Sequence, residues 1–299
     1  MLTFFHQRIR RALSGALVPA CLFLFQPLPA GEEARAYERI VSINLSADKL
    51  VLQLAEPERI VALSNLATDP ELSTLADEAS EFPSTLGSAE SVLRLEPDIV
   101  FSGKYTKRQT TNLLEKTGIR VVRLPVAHNF EECRELIRKV AEILEVEARG
   151  EALIQEMNER LARLRKKTRA RGFRPTALVY GEGGYTMGDR TLLHHILEAA
   201  GFKNHALSFD IHGQAELPLE RLLLSPPDFL ILLSYYENDP TLDALLLEHR
   251  ALKNLPDPPH IIHLPLGWTL NGNNLTPRAA EYLWEQSETL LESSKKQQP

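Results

Sequence analysis

Short apolar runs alternate with segments of helical period along most of this chain. Arg39-Ile-Val-Ser-Ile-Asn44, Ile60-Val-Ala-Leu63, Ile99-Val-Phe101 and Ile119-Arg-Val-Val-Arg-Leu124 read as strands beside Asn, Pro, Asp and Gly punctuation. Between them, Asp48–Ala55 and Thr110–Thr117 have helical spacing, the first capped by Asn44 or Ser46. From Glu131 to Arg171 the pattern is helical throughout. Leu136, Ile137, Val140, Ile143 and Leu144 form one apolar stripe, and Ile154, Met157, Leu161 and Leu164 a second. Residues 147–171, as one helix, extend roughly 37 Å at about 1.5 Å per residue. Gly150 is either a break or a tolerated glycine there, and Gly172 is a stop. Strands resume at Pro175–Tyr180, Phe229–Leu233 and Ile261–Leu264. Helices cover Leu192–Ala200 and a final segment opening at Thr276-Pro277. Strands alternating with helices predict an α/β fold with parallel sheets.

One motif occurs twice. Glu90-Ser-Val-Leu-Arg-Leu-Glu-Pro97-Asp98 precedes Ile99-Val-Phe101, and Glu220-Arg-Leu-Leu-Leu-Ser-Pro-Pro227-Asp228 precedes Phe229-Leu-Ile-Leu232. Each copy reads as a short helix, a Pro-Asp turn and a buried strand. The repeat predicts two lobes of one architecture, 37–146 and 172–299, with 147–171 as a bridging helix. Such a chain offers a ligand the cleft between its lobes. A helical bridge resists bending more than a loop, so only small hinge motion is expected.

Composition narrows the class. Arg8, Arg10 and Arg11 precede the apolar stretch Ala12–Phe25, as in an export signal, with cleavage after Ala30 or Ala36. Residues 1–36 are therefore read as a signal peptide and the chain as periplasmic. Lipoprotein anchoring at Cys21 is disfavoured, because Val18-Pro19-Ala20 matches a lipobox poorly and the apolar run continues beyond Cys21. Cleavage after Ala30 removes three arginines and takes the formal charge from −6 to −9, which argues against nucleic acid as a partner. Only Cys133 would remain, at helical spacing with Leu136, Ile137 and Val140, which marks it as a core residue. The cations from Arg163 to Arg171 read as a solvated face at a helix C-terminus.

Taken together in order and spacing, these pieces resemble the substrate-binding proteins of iron-siderophore and vitamin B12 ABC importers. The match rests on Arg39–Asn44 with its following helix, both Glu…Pro-Asp motifs, the helical bridge and Leu197-Glu-Ala-Ala-Gly-Phe-Lys-Asn204. It covers about residues 38–291. The resemblance implies two Rossmann-like lobes joined by one long rigid helix, a metal chelate held between them and an importer permease as partner. It also implies that Glu90 and Glu220, one per lobe, dock onto permease arginines. No enzyme activity, no cofactor and a monomer are expected.

Ligands of open α/β sheets lie beyond the carboxyl ends of the strands. The residues there include Asn44, Ser46, Asn65, Tyr105 and His128 in the first half, with Lys104 among them. In the second half they include Tyr180, Tyr185, His212, Tyr235, Tyr236, Trp268, Asn271 and Asn274. Five of the seven tyrosines fall in this set, and flat apolar faces with polar tips suit a large amphipathic chelate. All of these except Lys104 and His128 are taken as ligand-binding candidates. Few cations follow the strands, which favours a neutral or weakly charged chelate such as a hydroxamate or a corrinoid. A bare metal ion or haem is the alternative cargo. Only His128 and His212 fall in cleft loops, and His194 and His195, adjacent on a helix, are not expected to share a face. An exported enzyme is a further alternative, although neither G-x-S-x-G nor H-E-x-x-H occurs.

Overall fold

The computed structural model describes residues 37–234, 252, 254–270 and 272–297. The predicted export signal, Tyr235, Tyr236 and Asn271 lie outside them. Lobe one runs β1 (Ile40–Ser42), α1 (Leu45–Leu54), β2 (Ile60–Ser64), α2 (Ala76–Ala79), β3 (Ser84–Thr85), α3 (Ala89–Leu93), β4 (Ile99–Gly103), α4 (Arg108–Lys116), β5 (Arg120–Leu124) and α5 (Phe130–Leu144). Helix α6 (Glu147–Ala170) follows. Lobe two runs β6 (Thr176–Tyr180), β7 (Tyr185–Met187), α7 (Leu192–Ala199), β8 (Lys203–Asn204), β9 (Gln214–Glu216), α8 (Leu219–Leu224), β10 (Phe229–Ser234), β11 (His260–Pro265) and α9 (Pro277–Gln297).

Both lobes carry a parallel sheet, ordered β3-β2-β1-β4-β5 in the first and β11-β10-β6-β8 in the second. Read from β8, the second order repeats the winding β2-β1-β4-β5 of the first. The repeated motif explains why. Asp98 Oδ2 accepts the backbone N–H groups of Glu38 and Arg39 at 2.8 and 3.1 Å, at the entry to β1. Asp228 Oδ2 accepts the N–H and hydroxyl of Thr176, each at 2.7 Å, at the entry to β6. Each Pro-Asp turn thus ties the strand it launches to the first strand of its own lobe.

The expected α/β fold of two lobes with parallel sheets is the one observed. The short pairs β3, β7, β8 and β9 were not legible in the pattern, because two or three residues cannot display a period. One apolar core continues from α1 and α5 through Ile154, Met157 and Leu164 of α6 to α7, α9 and the lobe-two sheet. Gly150 is neither a break nor merely tolerated. A methyl group there would stand 2.6 Å from Ala141 Cβ, so the glycine permits close approach of α5 and α6. Arg149 caps the end of α1 at the carbonyls of Leu54 and Ala55, at 2.8 and 3.2 Å. Arg160 and Arg171 pair with Glu281 and Glu288 of α9 at 3.0 and 2.7 Å. The bridge is fastened at both ends. No described helix is long and apolar enough to cross a membrane.

Candidate functional site

The winding of lobe one reverses between β1 and β4, and the crevice at that point is where open sheets bind ligands. Asn44 stands there, half-buried, capping α1 by accepting the Ser46 N–H at 3.1 Å. Gly103 at the end of β4 makes room for it, since a methyl group would lie 2.5 Å from the Asn44 amide. Asn65 is exposed beyond β2, its N–H donated to Thr85 O at 3.0 Å. Around these polar groups the carboxyl edge exposes large apolar side chains: Leu66 (44 %), Leu86 (82 %) and Tyr105 (81 %). Surface leucine and tyrosine are ordinary singly, but three on one edge form a contact face. Sequence reasoning did not single out Leu86, because β3 is too short to reveal where it ends.

In lobe two the predicted set divides. Tyr185, 44 % exposed, stands at the carboxyl end of β6, where its carbonyl accepts the Gly181 N–H at 2.8 Å. Tyr180 is instead a core residue, 6 % exposed, with its hydroxyl donated to Leu217 O at 3.0 Å. Asn274, 2 % exposed, exchanges two 2.8 Å hydrogen bonds with Gln53 of lobe one and is part of the seam between lobes. Trp268 is half-buried and packs edge-on against Tyr282 of α9, ring centres 5.6 Å apart. His212 is carried away from the carboxyl edge. Gly183 and Gly184, with φ of 72° and 77°, reverse the chain after β6, so that β7 runs back along it and β9 pairs antiparallel with β7. Asn204, paired with Ala177 early in β6, holds the Met187 carbonyl at 2.8 Å. His212 there faces Asp189 at 3.0 Å and Asp210 at 3.3 Å, and these carboxylates raise its pKa.

The first turn of each repeated motif reaches solvent. Glu90, on a helix capped by Ser88, is tied to the end of β3 by the 3.0 Å contact of Ser91 with Thr85, and pairs with Arg94 at 3.2 Å. Glu220 is exposed in the first turn of α8, three residues after Leu217 meets Tyr180 at the end of β6. Both carboxylates therefore lie on the carboxyl-edge side of their lobes.

His194, His195 and Glu198 bring potential ligand atoms within 4.8 Å of one another, correcting the expectation that the adjacent histidines stay apart. Their rings touch edge to face, 5.1 Å between centres, because side chains this long converge even from neighbouring positions. Asn204 Oδ1 accepts the Ala206 N–H while its Nδ2 faces His194 Nδ1 at 3.3 Å. That orientation makes Nδ1 an acceptor and leaves the proton on Nε2, which meets Glu198 at 3.4 Å. The pattern suits a clasp between α7 and β8 better than a cation cage. Cys133 is fully buried, and burial pushes its thiol up to about 12, which suits the core role expected of it.

A family model described as periplasmic binding protein matches residues 40–256. The chain belongs to that family. A cobalamin-binding protein of Halobacterium salinarum is 24 % identical over 222 residues, 73 % of this chain and 60 % of the relative. The chain thus spans about three-fifths of the curated relatives it matches. Among solved structures, a periplasmic heme-binding protein from Roseiflexus superposes with a TM-score of 0.68 at 23 % identity, over 83 % of this chain and 98 % of that one. An Fe3+-hydroxamate transport protein from Saccharomonospora viridis gives 0.61 at 24 %, over 84 % and 93 %. These likenesses show the two-lobed fold of the family.

Proposed function

We propose that this chain is an exported receptor that holds a metal chelate between its lobes and hands it to an ABC importer. The observation that carries this reading is the exposed apolar edge of Leu66, Leu86 and Tyr105 around the Asn44 crevice of lobe one, with Tyr185 exposed at the carboxyl end of β6 in lobe two. A large ligand with an apolar shell would cover that surface, and the polar tips of Asn44, Ser46 and Asn65 would orient it. The similar proteins, described as binding cobalamin, heme or ferric hydroxamate, are consistent with cargo of that size. Residues 1–36 act as the export signal, 37–146 and 172–299 as lobes, and 147–171 as the strut.

Glu90 and Glu220 supply the permease contact, one from each lobe beside the cleft mouth. The receptor works as a monomer and transforms nothing. Titration of tryptophan fluorescence with cyanocobalamin, hemin, a ferric trihydroxamate and a ferric triscatecholate tests the reading. At least one complex should bind at micromolar concentration or below (about −8 kcal/mol). Failure of all four, or turnover of any of them, would overturn it.

A further inference from the structure

A cavity of about 910 Å³ opens in lobe one where the carboxyl ends of β4 and β5 meet the start of α4 and the middle of α5. Lys104, Arg108, Arg123, His128 and Lys139 line it, and among the described residues no aspartate or glutamate does. Arg123 is already engaged, held by Glu115 at 2.8 Å and by Thr111 at 2.7 Å. Lys104, Arg108 and Lys139 are exposed and, among the described residues, pair with no carboxylate. Helix α4 has no acidic residue in its first turn, and its one carboxylate, Glu115, is engaged by Arg123. Several like charges around one concavity focus a positive potential into it.

We infer that this cavity receives the negative periphery of the cargo, and that the chelate is therefore an anionic one bearing carboxylate or catecholate groups. The inference rests on the receptor reading and narrows its substrate class. The cavity adjoins the apolar edge directly: Lys104 Nζ lies 5.7 Å over the ring of its neighbour Tyr105. The shell of the chelate packs on Leu86 and Tyr105 while its charged arms reach Lys104, Arg108 and Lys139. This reverses the expectation of a neutral cargo. Arg123 and Lys139 lie within β5 and α5, so an inventory of residues following strands passes over them.

The test compares four complexes by tryptophan quenching: hemin and a ferric triscatecholate, which are anionic, and cyanocobalamin and a ferric trihydroxamate, which are neutral. An anionic complex should bind at least about tenfold more tightly than either neutral one, as expected for three exposed charge pairs acting together. The preference should shrink as salt is raised from about 0.01 to 1 M. The K104Q/R108Q/K139Q variant should lose the preference while keeping the parent's unfolding midpoint, since all three side chains are exposed. Neutral complexes binding equally well or better, or a triple variant that keeps the preference, would overturn the inference and leave the receptor reading standing. Binding of none of the four would overturn both.

Discussion

Lys49 of α1 donates its ammonium to the carbonyl of Gly267, 2.9 Å away and 218 residues later in the chain. The side chain is 1 % exposed and also meets Leu270 O at 3.5 Å. It pins the turn after β11 of lobe two onto the first helix of lobe one. The Gly267 N–H returns a bond to Glu71 O at 3.1 Å, and the Gln53–Asn274 pair adds two more across the same seam. The lobes are thus fastened to each other directly as well as through α6.

Replacement of Lys49 by Met should destabilise the protein by about 2–4 kcal/mol in urea unfolding, because it strands the buried Gly267 carbonyl and removes the cation beside Asp48. Gly267→Ala should cost about 1–3 kcal/mol at the same seam, since its methyl group would stand 2.7 Å from Glu71 O in the other lobe. Parent-like midpoints for both would refute the fastening role.

Stability should depend on pH through the same helix. Burial lifts the Asp48 carboxyl to about 6, against hydrogen bonds from Ser42 and Ser64 that favour its charge. Its contribution is fully present below the ordinary value of 3.8 and is lost as pH rises through 6. Burial lowers Lys49 to about 8 from 10.5, so the unfolded chain binds more protons between those values and stability rises with pH across them. Asp48→Asn should remove the acid-side slope, at most roughly 1.4 kcal/mol per pH unit for one proton, and leave the alkaline one. Urea melts between about pH 4 and 10 measure both limbs.

The two motif aspartates should matter more to the fold than the two motif glutamates. Asp98→Ala and Asp228→Ala each leave strand-entry donors without their acceptor, and a loss of about 1–3 kcal/mol is expected. Glu90→Ala and Glu220→Ala touch exposed side chains and should stay within about 0.5 kcal/mol of the parent. Chemical denaturation of the four variants ranks them.

Charge reversal of Glu90 and Glu220 together should abolish importer-dependent uptake while cargo affinity stays at the parent value. Docking through exposed carboxylates should also weaken as salt is added. Normal transport by E90K/E220K in a strain lacking the parent protein would remove these residues from the interface.

Leu86→Asp should weaken cargo binding about tenfold or more without moving the unfolding midpoint, because the side chain is 82 % exposed and supports no core. An unchanged dissociation constant would show that the cargo does not cover this edge.

Much of the architecture was open to reading in one dimension. The apolar runs gave the longer strands, the stripes of α5 and α6 gave the bridge, and the Glu…Pro-Asp repeat gave the two lobes. These are local periods, set by how a strand or helix turns its side chains, and they survive without knowledge of partners. The candidate site was only half legible. Asn44, Asn65 and Tyr105 stand on the carboxyl edge because they follow strands that the pattern locates. Tyr180, Asn274 and His212 satisfy the same rule in sequence, yet they pack in the core, join the seam and ride the β7–β9 ribbon away from the edge.

The chain itself, through the spacing of its apolar residues and its one duplicated motif, determined the α/β class, the division into two lobes and the helix between them. Tertiary structure alone decided that Lys49 meets Gly267, that Leu86 emerges on the carboxyl edge, and that Arg108, Arg123 and Lys139 gather with Lys104 around one cavity. Periodicity records which way a residue faces on its own element. It does not record which residues from distant elements the packing of those elements brings within a few ångströms, and charge, burial and binding act over those distances.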